Sequence, residues 1–223
     1  MSQKEFLDEK IIAMINEVEN QDSAPATTTA SVAKIADEVA PEARTIYTGI
    51  KIKGKLIEFA ERALIEERVI MMVPVDFQEM SQADAKLKYP SQERPQLILT
   101  DTSTAVNLMF NYLDQPIKNE DVATLCSQII NGMKRVNSSI SIQEEGVEIV
   151  GDKNVAYTTF SHPTLNGKLY NLMYFVELDG RSLMISFNFQ TKDLKYWKPV
   201  AFEMMRSLKF VEQSKNDVGE LNE

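Results

Sequence analysis

The chain has little with which to do covalent or metal chemistry. Of its 223 residues one is cysteine, Cys126, and one is histidine, His162. A single cysteine cannot close an internal disulfide. With one histidine beside it there is no Cys/His zinc cluster, no Cys-x-x-Cys redox pair and no two-histidine metal site. Glycine is scarce, at 8 residues, and Gly49 and Gly54 fit neither a dinucleotide-binding turn nor a P-loop. No Gly-x-Ser-x-Gly elbow exists, so no cofactor and no reaction is implied. Long apolar runs are missing too: nothing approaches the roughly 20 residues of a spanning helix, which excludes membrane insertion by that route. Basic residues are outnumbered, 24 Lys+Arg against 33 Asp+Glu, for a net charge of −9. Such a surface repels phosphate backbones and anionic headgroups, so nucleic acid is not expected as a partner.

Hydrophobic residues make up 43% of the chain, enough for one good-sized domain with appendages. Residues 1–22 read as an amphipathic helix, 23–43 as a flexible linker, 44–211 as the folded domain and 212–223 as a disordered acidic tail. Residues 1–20 carry a charge every few positions and lack the apolar core of a signal peptide. Together with the lone cysteine this makes a cytoplasmic location the expectation. Leu7, Ile11, Met14, Ile15 and Val18 form one apolar stripe at helical spacing. A helix this short is marginal alone in water, so the stripe needs a partner surface, on this domain or on another chain. The Ser/Ala/Thr-rich run after it has too little apolar area to order itself, with a weak helical turn over 31–39.

The domain is organised around Leu64–Tyr112, which reads as strand, proline stop, short helix, a proline-bracketed corner and two strands. Before it, Thr45 onward has strand character. Residues 55–67 read as strand, although Leu56, Phe59, Ala60, Ala63 and Leu64 also fit one helix face. Arg68–Val73 is apolar on both faces, as a strand covered on two sides would be, and Pro74 ends it. Phe77, Met80, Ala83 and Leu87 fit a short helix with Ser81 as N-cap. Tyr89 and Arg94 each precede proline in the corner, which restricts both to extended geometry. Gln96–Thr100 and Ala105–Tyr112 are strands; in the latter, Val106, Leu108, Phe110 and Tyr112 alternate with Ala105, Asn107, Met109 and Asn111.

Residues 119–136 form the strongest helix, with Asn119 as its cap, acidic residues at its start and Lys134 and Arg135 at its end. Four meander strands follow, separated by Gly151-Asp152, Asn166-Gly167 and Asp179-Gly180. The first, Ser139–Val150, has a bulge or break expected at Gly146. Lys168–Leu178 is apolar on both faces and reads as central. A last helix starts near Asp193 with Pro199 in its first turns, and Lys209–Val211 adds a terminal strand.

Most chemistry-bearing residues have an ordinary structural explanation. His162 lies beside Pro163 at a strand end with no nucleophile in view. Cys126 falls in the apolar stripe of its helix, as an inert thiol would. Glu144-Glu145 leads into Gly146 and reads as a solvated turn. The methionines fill cores. Tyr89, Arg94, Tyr170, Tyr174 and Trp197 are the candidates to line a pocket between sheet and helix.

At Arg68–Phe77 (RVIMMVPVDF), Lys86–Leu99 (KLKYPSQERPQLIL), Val106–Asn111, the later run NGKLYNLMYFVELDGRSLMISFNF and the Trp-containing closing helix, the chain resembles the PsbP/DcrB-like group of bacterial domains. The resemblance covers about 68–211 and is vaguer over 44–67. It implies an α+β fold, an α/β/α sandwich around a twisted, mainly antiparallel sheet of about six to seven strands. It also implies a non-enzymatic role. Relatives include photosystem accessory proteins, a Ran-binding protein, envelope lipoproteins, and chaperones that hold apolar segments of secreted toxins. No shared catalytic residues carry over. The chain departs from the lipoprotein branch in lacking a leader and lipid-attachment cysteine, and from the photosynthetic branch in lacking a transit sequence. The expected function is a non-enzymatic protein-interaction module, chaperone-like or secretion-associated, with a protein partner or a second copy of the chain. The alternative is a small-ligand binder or an enzyme using that pocket.

Overall fold

The computed structural model describes residues 44–89, 94–164 and 167–211. The helical stripe, the linker with its weak turn, the acidic tail and Asn166 of one expected hairpin turn lie outside them. Tight turns set the topology. Asp179 and Gly180 both take positive φ, 50° and 80°, as a two-residue turn between strands of right-handed twist requires. They join β10 (Gly167–Leu178) to β11 (Arg181–Gln190), and Gly151-Asp152 joins β8 (Ser141–Val150) to β9 (Lys153–Thr164).

With β5 (Gln78–Glu79), β6 (Leu97–Thr100) and β7 (Asn107–Pro116) these strands make one seven-stranded antiparallel sheet of order β5-β6-β7-β11-β10-β9-β8. A three-stranded sheet, β12 (Lys209–Phe210), β4 (Val69–Pro74) and β3 (Phe59–Leu64), and a hairpin of β1 (Ile50–Ile52) and β2 (Lys55–Ile57) complete the strands. Residues 55–67 are thus strands and a turn. That turn is strained: Ile65, Glu66 and Glu67 all have positive φ of 51–64°, a conformation β-branched and bulky residues avoid.

One face of the main sheet carries α3 (Leu194–Arg206) and the small sheet. Here Leu108, Phe110, Tyr170, Tyr174, Ile185, Phe187 and Phe189 meet Trp197, Val200, Ala201 and Met204, with Val69, Met71 and Val73 from β4. Ser207 stitches the layers together. Its hydroxyl accepts from Met72 N (3.0 Å) and donates to Met204 O (2.7 Å). β12 pairs Lys209 with Ile70, so Ser207 stands opposite Met72 and continues that ladder by its side chain after the strand has ended.

The other face carries α2 (Val122–Val136), whose Leu125, Ile129, Ile130 and Met133 cover Phe160, Met173, Phe175 and Met184. Beside it α1 (Gln82–Lys88) leads into a smaller cluster of Met80, Ala85, Tyr89, Ile98 and Met109. Along this face a polar row runs across four strands: Thr100, Asn107, Asn188 and Asn171 are aligned in register. Thr100 Oγ1 donates to Asn107 Oδ1 (2.9 Å) and Asn107 Nδ2 to Asn188 Oδ1 (2.9 Å). The bonded stretch Thr100–Asn107–Asn188 penalises a slipped register, since any slip would bury those groups without partners.

Several local expectations need correction. Phe77 and Met80 precede α1, and Ala85 is its core residue, while Ala83 and Leu87 face solvent. Seven residues over a sheet edge offer only one inward position. Asn119 does not cap α2: it sits in a 3-10 turn, and its side-chain Oδ1 accepts from Asn154 N of β9 (2.8 Å). The β8 bulge falls between Ile142 and Glu144, and Gly146 is in register with Tyr157. Pro199 falls in the second turn of α3, within the first turns expected, and on its exposed side.

Candidate interaction surface

Two elements end the main sheet, and they differ in kind. β5 has 2 residues. β8 has 10, and among the described residues no strand pairs with its outer edge. A long unpaired edge is a template for another strand, and proteins blunt such edges with charges, bulges or covers. β8 has the charges: Glu144, Glu145 and Glu148. They do not, however, guard the edge. Glu144 is tied to Lys198 of α3, and Glu148 accepts two hydrogen bonds from Arg206, each 2.7 Å. On the opposite face Glu145 lies 3.9 Å from Lys134 of α2. The bond to Glu144 holds the Lys198 ammonium above its usual pKa, and Glu148 does the same for Arg206.

Neutralised carboxylates are drawn up and down onto the helices, which leaves the strand's apolar positions open. Val147 is 49% exposed and Ile149 77%. The local sequence produces this. Gly146 has no side chain because Tyr157 occupies its space: a Cβ there would lie 2.7 Å from the Tyr157 hydroxyl oxygen. Tyr157 in turn makes an edge-on contact with Phe202 of α3 (5.2 Å, 89°). The glycine read as a break is a seat for a cross-strand ring, and the strand continues straight through it. Glu144-Glu145 is therefore mid-strand, not a turn.

The candidates named from sequence are dispersed. Leu7, Ile11, Met14, Ile15 and Val18 lie outside the described residues. Tyr170, Tyr174 and Trp197 are core: Trp197 meets Phe77 and Phe187 at 6.2 and 5.7 Å, and Tyr170 meets Phe189 at 5.2 Å. Burial raises the Tyr174 hydroxyl pKa far above its ordinary value, and that hydroxyl has no hydrogen-bond partner. Tyr89 is buried beneath α1 and donates to Met109 Sδ at 3.2 Å. Arg94 lines an open hollow of about 380 Å³ with Glu79, Met80, Lys86, Gln96 and Ile98.

Cys126 is buried and its thiol is pushed up to about 12, so it is not a nucleophile at neutral pH. His162 stacks on Phe160, its Nδ1 is 3.3 Å from Asn171 Nδ2, and burial lowers its pKa. No group of three His, Cys, Asp or Glu among the described residues is placed to hold a metal. No described helix is long and apolar enough to cross a membrane. Sequence reading missed Val147 and Ile149; the available signal was their spacing of two in a segment already read as strand.

No family model matches the sequence, and no curated protein matches it. Among solved structures the chain is similar to cyanobacterial PsbP (CyanoP) from Synechocystis, with a TM-score of 0.51 and 7% identity over 69% of this chain and 92% of that one. It also aligns with LpqN of Mycobacterium tuberculosis, a protein involved in cell envelope biogenesis, at a TM-score of 0.46 and 11% identity over 77% of this chain and 100% of the other. Identities this low speak to fold alone. The fold is PsbP-like: a mixed α+β architecture around a seven-stranded antiparallel sheet.

Proposed function

We propose that this is a non-enzymatic protein-interaction module that binds an extended segment of a protein along β8. The supporting observation is the ten-residue edge whose three carboxylates are held by α2 and α3, exposing Val147 and Ile149. Strand addition would supply affinity through main-chain hydrogen bonds and selectivity through alternate side chains. A chaperone-like or secretion-associated role in the cytoplasm, of the DcrB-like kind, belongs to the same proposal, with residues 1–22 as a second contact. Pull-down of the full chain from its host tests it: a stoichiometric partner is expected, weakened by Ile149→Lys and by deletion of residues 1–22. Recovery of no partner, or a partner indifferent to β8 changes, would count against it.

A second reading, a small-ligand binder, draws on the hollow beside Arg94. Native mass spectrometry of the purified chain would reveal a co-purified molecule, lost in Arg94→Ala.

A further inference from the structure

We propose that the strand binding along β8 is β8 of a second copy, paired antiparallel about a two-fold axis through Val147, so that two seven-stranded sheets join edge to edge. This rests on the preceding reading of β8 as the protein-binding edge and names its occupant.

Backbone geometry fixes which residues can pair. The two-residue turn Gly151-Asp152 makes Val150 and Lys153 directly opposed partners, and such a turn closes on a hydrogen-bonded pair. Alternation then sends the N–H and C=O of Val150, Glu148 and Gly146 toward β9, and those of Ile149, Val147 and Glu145 outward. Residues opposed in an antiparallel pair share a face, and a two-fold axis normal to the sheet keeps each face on its own side. An outward residue must therefore pair with an outward residue, so the axis passes through a residue of the strand and not between two.

Charge and length choose among the positions. An axis through Glu145 sets two carboxylates face to face, which destabilises a pair, and runs the ladder into the bulge between Ile142 and Glu144. An axis through Ile149 leaves only the strand's last residues before the turn. An axis through Val147 uses all of Glu144–Val150. It sets Val147 against its own copy, Ile149 against the partner's Glu145, Gly146 against the partner's Glu148, and Glu144 against the partner's Val150. No carboxylate opposes another, and each is already paired with Lys134, Lys198 or Arg206. The register covers both exposed apolar residues of the strand and makes about six intermolecular backbone hydrogen bonds. No neighbouring register shares this avoidance: moving the axis by one residue sets Glu144 against the partner's Glu148, or Glu148 against itself.

The test uses the full chain. Sedimentation should show a concentration-dependent dimer that tightens as salt screens the −9 charge of each copy. Val147→Pro removes an outward N–H and none that serves β9, so it should fold, as far-UV circular dichroism checks, and sediment as a monomer. Cys126 is the sole native cysteine and is buried, so disulfide trapping reads only introduced thiols. Val147→Cys should cross-link to itself, since opposed hydrogen-bonded residues lie about 5.5 Å apart, within disulfide range. Ile149→Cys or Glu145→Cys alone should not, while the two together should. A wild-type monomer at all concentrations overturns the dimer, and a dimer that survives both Val147→Pro and Ile149→Lys overturns its placement on β8. Self-cross-linking at Ile149→Cys instead of Val147→Cys overturns the register. A monomer whose β8 variants still lose a different protein partner ends this proposal and leaves the binding reading standing.

Discussion

Replacing Ser207 by alanine removes one hydroxyl, and the structure says which loss matters. Met204 O loses the hydroxyl donor but keeps a hydrogen bond from Ser207 N at 3.1 Å. Met72 N loses its acceptor altogether. That N–H points toward the β12 side of β4, where no further strand residue can replace the hydroxyl, and it is buried between the small sheet and α3. An orphaned buried donor costs about 1–3 kcal/mol. With a urea m-value of roughly 2 kcal/mol/M, a loss of about 2 kcal/mol lowers the unfolding midpoint by roughly 1 M. Ser207→Thr keeps the hydroxyl and should recover part of the loss. Equilibrium urea unfolding followed by Trp197 fluorescence measures both. An alanine variant within about 0.3 kcal/mol of wild type, at unchanged m, would refute the claim that this side chain completes the β4 ladder.

Other outcomes follow from single features. Gly146→Ala should push Tyr157 off Phe202, costing about 0.5–1.5 kcal/mol of aromatic contact in the same assay. Glu67→Gly should raise the melting temperature by roughly 1–4 °C, because glycine relieves a positive φ at some cost in chain entropy. His162 is held neutral by burial, its folded pKa below the unfolded value of about 6.5. Its contribution is therefore complete above the unfolded pKa and lost as pH falls through that value toward the folded one. The midpoint difference between wild type and His162→Gln should shrink from pH 7.5 to pH 5, and a constant difference would contradict the assignment. Cys126 should resist thiol reagents in the native chain and react fully on unfolding.

The sequence by itself determined the order and kind of most elements. Period-two runs such as Leu183, Ile185, Phe187 and Phe189, and turn residues such as Asp179-Gly180, are local signals with local causes. Their sum, four meander strands with a closing helix, is what β8 to β11 and α3 show. The alternation misled where both faces are covered. Asn107, Asn111, Ser186 and Asn188 alternate with apolar neighbours in their strands, yet all four are buried. Asn107 and Asn188 bond to each other across the strands, and no single strand can show that its neighbour carries a matching amide.

The candidate site was less legible for the same reason. Tyr170, Tyr174 and Trp197 looked like pocket lining because an aromatic side chain reads alike in a core and in a cleft. Only the packing of α3 decided between them. Glu144 and Glu145 looked like the charges of a solvated turn, and Glu148 was not singled out. That Lys134, Lys198 and Arg206 draw them aside and bare Val147 and Ile149 depends on two helices that arrive from either side in sequence. Local propensity and periodicity act over a few residues and are written in the chain; which edge stays open is settled by contacts between residues as far apart as Glu144 and Lys198, and those exist only once the sheet and its helices have closed on one another.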